Sequence, residues 1–168
     1  MQLSISEILE QTSQKPESEQ VEFLRKNDSV VLRQILEYAL SPNIKWLLPE
    51  GKPPFTYGNT IGTHGMLYSQ ARKLYLFVEG GNPNLSNLKR ETLFIQVLEA
   101  VHPADADLII AAKDKRIPYN IKPEVFNEAF GFQFATAPQT SPGVEIKEGS
   151  PKQKKRKTKS KKSAEEAA

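Results

Sequence analysis

Apolar residues recur at three- and four-residue spacing along most of residues 5–130, the spacing that lines one face of a helix. Ile5, Ile8, Leu9 and Thr12 share such a face behind Ser4, whose hydroxyl suits a helix N-cap. Pro16 stands where a first-turn proline is tolerated, and Glu17 and Glu19 suit the positive end of the helix it opens. That second helix, over about residues 16–26, should bury Val21 and Leu24. After the break Asn27-Asp28-Ser29, the residues Val31, Leu32, Ile35, Leu36, Ala39 and Leu40 give the clearest amphipathic stretch of the first half. Ser41-Pro42 ends it. The run Ile44, Trp46, Leu47, Leu48 is too short to assign to either element.

Periodicity stops at residues 49–65, PEGKPPFTYGNTIGTHG, which read as a loop carrying two aromatics, Phe55 and Tyr57, as candidate pins to the body. A helix from about Met66 to Val78 follows, with Leu67, Ala71, Leu74 and Val78 inward and Gly80-Gly81-Asn82-Pro83 ending it. The longest periodic run, Leu85–Val101, starts at Asn84 or Ser86 and should bury Leu88, Phe94 or Ile95, Leu98 and Val101. Pro103 opens a helix containing Leu108, Ile109 and Ala112. A charged turn, Lys113-Asp114-Lys115-Arg116, precedes a last helix with Pro123 in its first turn and Val125, Phe126, Ala129 and Phe130 on its apolar side. No strand-like alternation lasts long enough to build a sheet. The pattern predicts an all-α fold: a compact bundle of about seven helices at residues 1–132, with a disordered basic C-terminal tail at residues 133–168.

Charge sharpens that division. The 168 residues carry 23 Lys and Arg against 20 Asp and Glu, a net +3. Pro151–Lys162 alone holds eight basic residues and no acid, while 15 basic and 20 acidic residues make up the remainder, a balance of −5. The chain is a mildly acidic body with a strongly basic tail. No apolar run reaches the roughly 18 residues needed to span a bilayer, so no membrane partner is expected. The N-terminus, MQLSISEILEQ, lacks the basic start and apolar stretch of a secretion signal, and the absence of cysteine fits the cytoplasm.

Candidate catalytic chemistry is thin. Gly58, Gly62 and Gly65 lack the Gly-Lys-Ser/Thr ending of a phosphate-binding loop and follow no strand. His64 and His102 have no second ligand at metal spacing, so no metal or other cofactor is expected, and His102 before Pro103 reads as a turn residue. There is no Gly-x-Ser-x-Gly elbow. Asp105 and Asp107 sit two apart on a helix, point in different directions and read as partners of the helix dipole.

The basic run is the stronger feature: Lys152, Lys154, Lys155, Arg156, Lys157, Lys159, Lys161 and Lys162. Without interleaved aromatics they cannot stack on bases, so a nucleic acid would be met at its phosphates and independently of sequence. The other reading is a solubilising or charge-compensating tail. A second basic cluster, Lys113, Lys115 and Arg116 beside Lys122, lies between two helices where the next helix start offers amides to an anion; an ordinary solvated turn is the alternative.

Three segments carry a family resemblance: FLRKNDS at Phe23–Ser29, LRQILEYALSPNIKWLLP at Leu32–Pro49, and AAKDKRIPYNIKPEVFNEAFGF at Ala111–Phe132. Their order and spacing resemble the N-terminal helical DNA-binding domain of T4-type phage ATP-dependent DNA ligases, over most of residues 3–132. The chain is also similar to small proteins encoded by T4-like phages of marine bacteria. The resemblance implies a helical fold in which the turn before the last helix approaches a duplex, making Lys113, Lys115, Arg116 and Lys122 candidate phosphate contacts. The ligase turn normally has a glycine there, where this chain has Pro118-Tyr119-Asn120. No Lys-x-Asp-Gly nucleotidylation motif occurs, so ligase activity is not implied.

The expectation is a non-catalytic DNA-binding accessory protein of a phage, acting in the host bacterial cytoplasm on duplex or nicked DNA. The alternative is a protein-interaction module, a regulator or assembly component with a phage or host protein partner, whose basic tail is a solubility or docking element.

Overall fold

Ser4 opens the first helix as its spacing predicts: its hydroxyl accepts the Glu7 amide while the Glu7 carboxylate accepts the Ser4 amide, a complete capping box. The computed structural model describes residues 2–136. Within them seven α-helices follow in order: α1 (Ile5–Gln14), α2 (Glu17–Lys26), α3 (Val30–Leu40), α4 (Leu67–Gln70), α5 (Asn87–Ala100), α6 (Pro103–Lys113) and α7 (Pro123–Phe130). Among the described residues there is no sheet, and the fold is all-α.

The apolar spacing locates α1, α3 and α7 well, and Ile5, Ile8, Leu9, Leu32, Ile35, Leu36, Val125 and Phe126 are all in the core. Helix α6 is buried nearly all round, with Ala106, Leu108, Ile109, Ile110, Ala111 and Ala112 enclosed, because it packs against α1, α3 and α5 together. Helices α2 and α7 lie side by side and parallel: Lys122 meets Glu17 where both begin, and Arg25 donates to the Glu128 and Ala129 carbonyls where α7 ends. Gly131, in the left-handed region at φ 76°, terminates α7.

Three expectations are corrected. The helix expected over 66–78 is one α turn, α4, followed by a 3-10 helix at Ala71–Phe77. The chain then leaves in extended form so that Val78 pairs antiparallel with Trp46, with Leu47 donating to the Phe77 carbonyl at 2.8 Å and Glu79 to the Lys45 carbonyl at 2.8 Å. That pairing explains the short apolar run at 44–48. Leu88, expected inside, is 77% exposed, because α5 turns Arg90, Phe94, Val97 and Leu98 inward instead. Finally, the folded unit does not stop at Phe132. Phe134 is only 6% exposed, its amide donates to the Asn127 side chain at 2.9 Å and its carbonyl accepts from Asn127 at 3.1 Å.

Candidate functional site

The charged turn after α6 is built by a helix ending of unusual composition. Lys115 donates its amide to the Ala112 carbonyl at 2.9 Å and Arg116 to Ala111 at 3.0 Å, the paired bonds of a Schellman motif. The left-handed position of such a motif favours glycine, yet Lys115 occupies it at φ 65°. The compensation lies in its side chain. The Lys115 ammonium reaches the C-terminal end of α3 and donates to the carbonyls of Tyr38 at 3.0 Å, Ser41 at 2.7 Å and Ile44 at 2.9 Å. A cation there also meets the negative end of the α3 dipole. Burial pushes its ammonium below the usual lysine value, while the three carbonyls favour the charged form.

Lys113 is also committed inside the fold. Its side chain is 2% exposed, and its ammonium donates to the Pro49 carbonyl at 2.8 Å and to Asp114 at 2.7 Å. Asp114 in turn accepts the Gly51 amide at 3.2 Å, so the pair fastens the start of the 49–65 segment. The expected phosphate contacts at Lys113 and Lys115 are therefore corrected: one ammonium is enclosed, and all three donors of the other are used. Arg116 and Lys122 remain exposed, Lys122 in a surface pair with Glu17 at 3.2 Å, which salt and water weaken. Half-buried Tyr119, between them in sequence, has its phenol pushed up to about 12 by burial, with Glu10, Asp105 and Asp107 adding to the effect. The tail residues Lys152, Lys154, Lys155, Arg156, Lys157, Lys159, Lys161 and Lys162 lie outside the described residues.

Replacing Lys115 by glycine separates the two local effects. Glycine relieves the left-handed backbone by up to about 1 kcal/mol, but it strips three carbonyls of a charge-assisted donor, each worth roughly 1 kcal/mol or more. Lys115→Gly is expected to lower stability by about 2 kcal/mol or more in urea unfolding, whereas a simple C-terminal turn would gain.

The 49–65 segment is fixed to the body along its length. Tyr57 donates to Asp107 at 2.7 Å and accepts from Lys52 at 2.7 Å, and the Thr56 amide donates to Glu99 at 3.0 Å. Gly58 lies so close to the end of α5 that an added Cβ would stand 2.6 Å from the Glu99 carbonyl oxygen. At the far end, His64 sits 3.1 Å from Glu7 and 3.2 Å from the Gln2 carbonyl. The aromatic pins expected from sequence are present, with the Phe55 and Tyr57 rings edge-on at 4.8 Å. Between the first residues of this strap and α5 opens a cleft of about 310 Å³, lined by Leu48, Pro53, Pro54, Phe94 and Ile95.

Two polar residues escaped the sequence pattern. Arg90 is 3% exposed and donates to the carbonyls of Leu76, Asn82 and Leu85 and to the Asn87 side chain. Asp105, expected as a surface partner of its own helix, is fully buried and accepts the Ser6 amide of α1 at 3.0 Å, tying the starts of α1 and α6 together. A first-turn aspartate gives no signal of either contact, and an arginine within a polar helix start gives none of burial. His102 caps α6, its Nδ1 accepting the Ala104 amide at 3.1 Å.

Burial pushes the Asp105 carboxyl above its ordinary value of 3.8, partly opposed by its bonds to Ser6, and its second oxygen has no partner among the described residues. With the folded value raised, the stabilisation from the protonated form is complete below 3.8 and is lost as pH rises through the raised value. Relative to the native chain, Asp105→Asn should therefore gain stability as pH rises from about 4 to about 8, read as a change in the Tm difference between the two proteins.

No three His, Asp or Glu side chains converge as a metal-binding group among the described residues, and no helix there is long and apolar enough to cross a membrane. A family model described as a family of unknown function, DUF6433, matches residues 8–119, from α1 to the turn after α6. No curated protein and no solved structure matches the chain.

Proposed function

The chain belongs to the DUF6433 family, and from its own residues we propose that it is a non-catalytic DNA-binding accessory protein whose phosphate contacts come chiefly from its C-terminal basic run. The observation that carries this reading is the segregation of charge, eight basic residues and no acid in Pro151–Lys162. Such a run meets a polyanion by releasing counterions and needs no shaped pocket. The body contributes less than the ligase-like turn suggested, since Lys113 and Lys115 serve the fold, leaving Arg116 and Lys122. The likeness to a phage ligase DNA-binding domain supports the choice of DNA over other polyanions. The family match ends at Tyr119, so Lys122 and the basic run fall beyond it.

The reading makes a quantitative expectation. If about 4–8 lysine and arginine charges pair with phosphates, a plot of log K against log salt has a slope of roughly −4 to −7 on duplex DNA and a shallower one on single strands. Fluorescence anisotropy with the full chain on single-stranded, duplex and nicked DNA measures it. Absence of binding at low salt overturns the reading.

A second reading, a protein-interaction module, is favoured by one observation: the apolar cleft under the strap, which no side chain of the described residues fills.

A further inference from the structure

The cleft between the strap and α5 combines two features. Its wall is mostly apolar, formed by Leu48, Pro53 and Pro54 on one side and by Phe94 and Ile95 on the other. Its charged lining is two glutamates and two lysines, and of these only the glutamates make no side-chain hydrogen bond among the described residues. Glu50 and Glu91 both line it, both are exposed, and neither has a basic side chain within ion-pair distance among the described residues. The exposed cation beside them, Lys52, is turned to the strap itself, donating to the Tyr57 hydroxyl and lying 4.6 Å from that ring's centre. Lys113 also lines the cleft, with two of its three donors used by Pro49 and Asp114. Two exposed carboxylates whose neighbouring lysines are turned to other partners are placed to meet incoming cations. A volume of about 310 Å³ lies at the lower end for a ligand pocket and suits one anchoring side chain better than a whole cofactor.

We propose that this cleft docks a peptide segment of a protein partner in which one leucine-sized apolar side chain is flanked by lysine or arginine. The apolar side chain enters between Pro53 and Ile95, and the flanking cations meet Glu50 and Glu91. The proposal gives the second functional reading its partner chemistry and does not depend on DNA binding. Proline walls are conformationally fixed, so little ordering cost attaches to that side of the cleft.

The test uses the full chain, labelled with ¹⁵N, titrated with three probes: acetyl-Lys-Leu-Lys-amide, acetyl-Glu-Leu-Glu-amide and acetyl-Lys-Ser-Lys-amide. The first should shift the amides of Gly51, Lys52, Glu91 and Ile95 saturably. The acidic peptide should bind about tenfold more weakly, because two exposed ion pairs become repulsions. The serine peptide should also bind about tenfold more weakly, for want of apolar burial. The double charge reversal Glu50→Lys with Glu91→Lys, at two exposed positions, should invert the preference between the first two probes. Equal binding of the leucine and serine peptides overturns the proposal by leaving a charged surface without a cleft. Shifts confined to another face leave a peptide-binding body but a different site, and likewise overturn it. Shifts at the cleft that grow with protein concentration alone name a second copy as the occupant and contradict it.

Discussion

Arg90→Ala is expected to destabilise the protein by about 3–5 kcal/mol, lowering Tm by roughly 10 °C or more. The guanidinium is 3% exposed and has no carboxylate partner among the described residues; it makes four hydrogen bonds, to the Leu76, Asn82 and Leu85 carbonyls and the Asn87 side chain, at 2.8 to 3.3 Å. These carbonyls belong to the connection from the 3-10 helix to α5, so one side chain templates the whole reversal. Alanine leaves them without that donor and opens a void beside them. Lysine restores the charge but not the planar fork, and Arg90→Lys should recover less than half of the loss. Urea unfolding measures both, and a loss below about 1 kcal/mol for alanine would show that water replaces the arginine.

The same reversal contains the glycine least able to change. An added Cβ at Gly81 would stand 1.8 Å from the Tyr75 carbonyl oxygen and 2.8 Å from its carbon, both backbone atoms that no rotamer change can move aside. Relief requires separating the chain at Tyr75 from the chain at Gly81, which pulls on the Val78–Trp46 pairing between them. Gly81→Ala should cost about 3 kcal/mol or more. It should also be non-additive with Arg90→Ala, because either change releases the segment that the other depends on. A double-mutant cycle in urea tests this, with simple additivity as the contrary result.

Helical spacing made most of the fold legible. The cores of α1, α3 and α7 lie where their apolar residues predict, since each packs one face and leaves the other to water. Helix α5 was misphased at its first turn because its inward position there belongs to Arg90, a residue that a hydrophobic pattern assigns to solvent. The helix read over 66–78 had sound periodicity, yet tertiary pairing of Val78 with Trp46 stretched it into a 3-10 segment. The candidate site fared less well for a related reason. A run of Lys113, Lys115 and Arg116 reads as an exposed cationic turn, and nothing local reports that the end of α3 and Pro49 lie within reach of two of those ammonium groups. Long-range hydrogen bonds from charged side chains have no periodicity and so leave no pattern to detect.

In the proposed function, phosphate contact belongs to the basic run and not to the turn after α6. That assignment is tested most directly by comparing three full-length proteins on duplex DNA at low salt. One is native, one has the eight basic residues of Pro151–Lys162 replaced by glutamine, and one carries Arg116→Glu with Lys122→Glu. The glutamine chain should lose binding by about a thousandfold or more, while the double turn variant should lose roughly tenfold or less. Native-like affinity in the glutamine chain, with binding abolished by the turn variant, would contradict it.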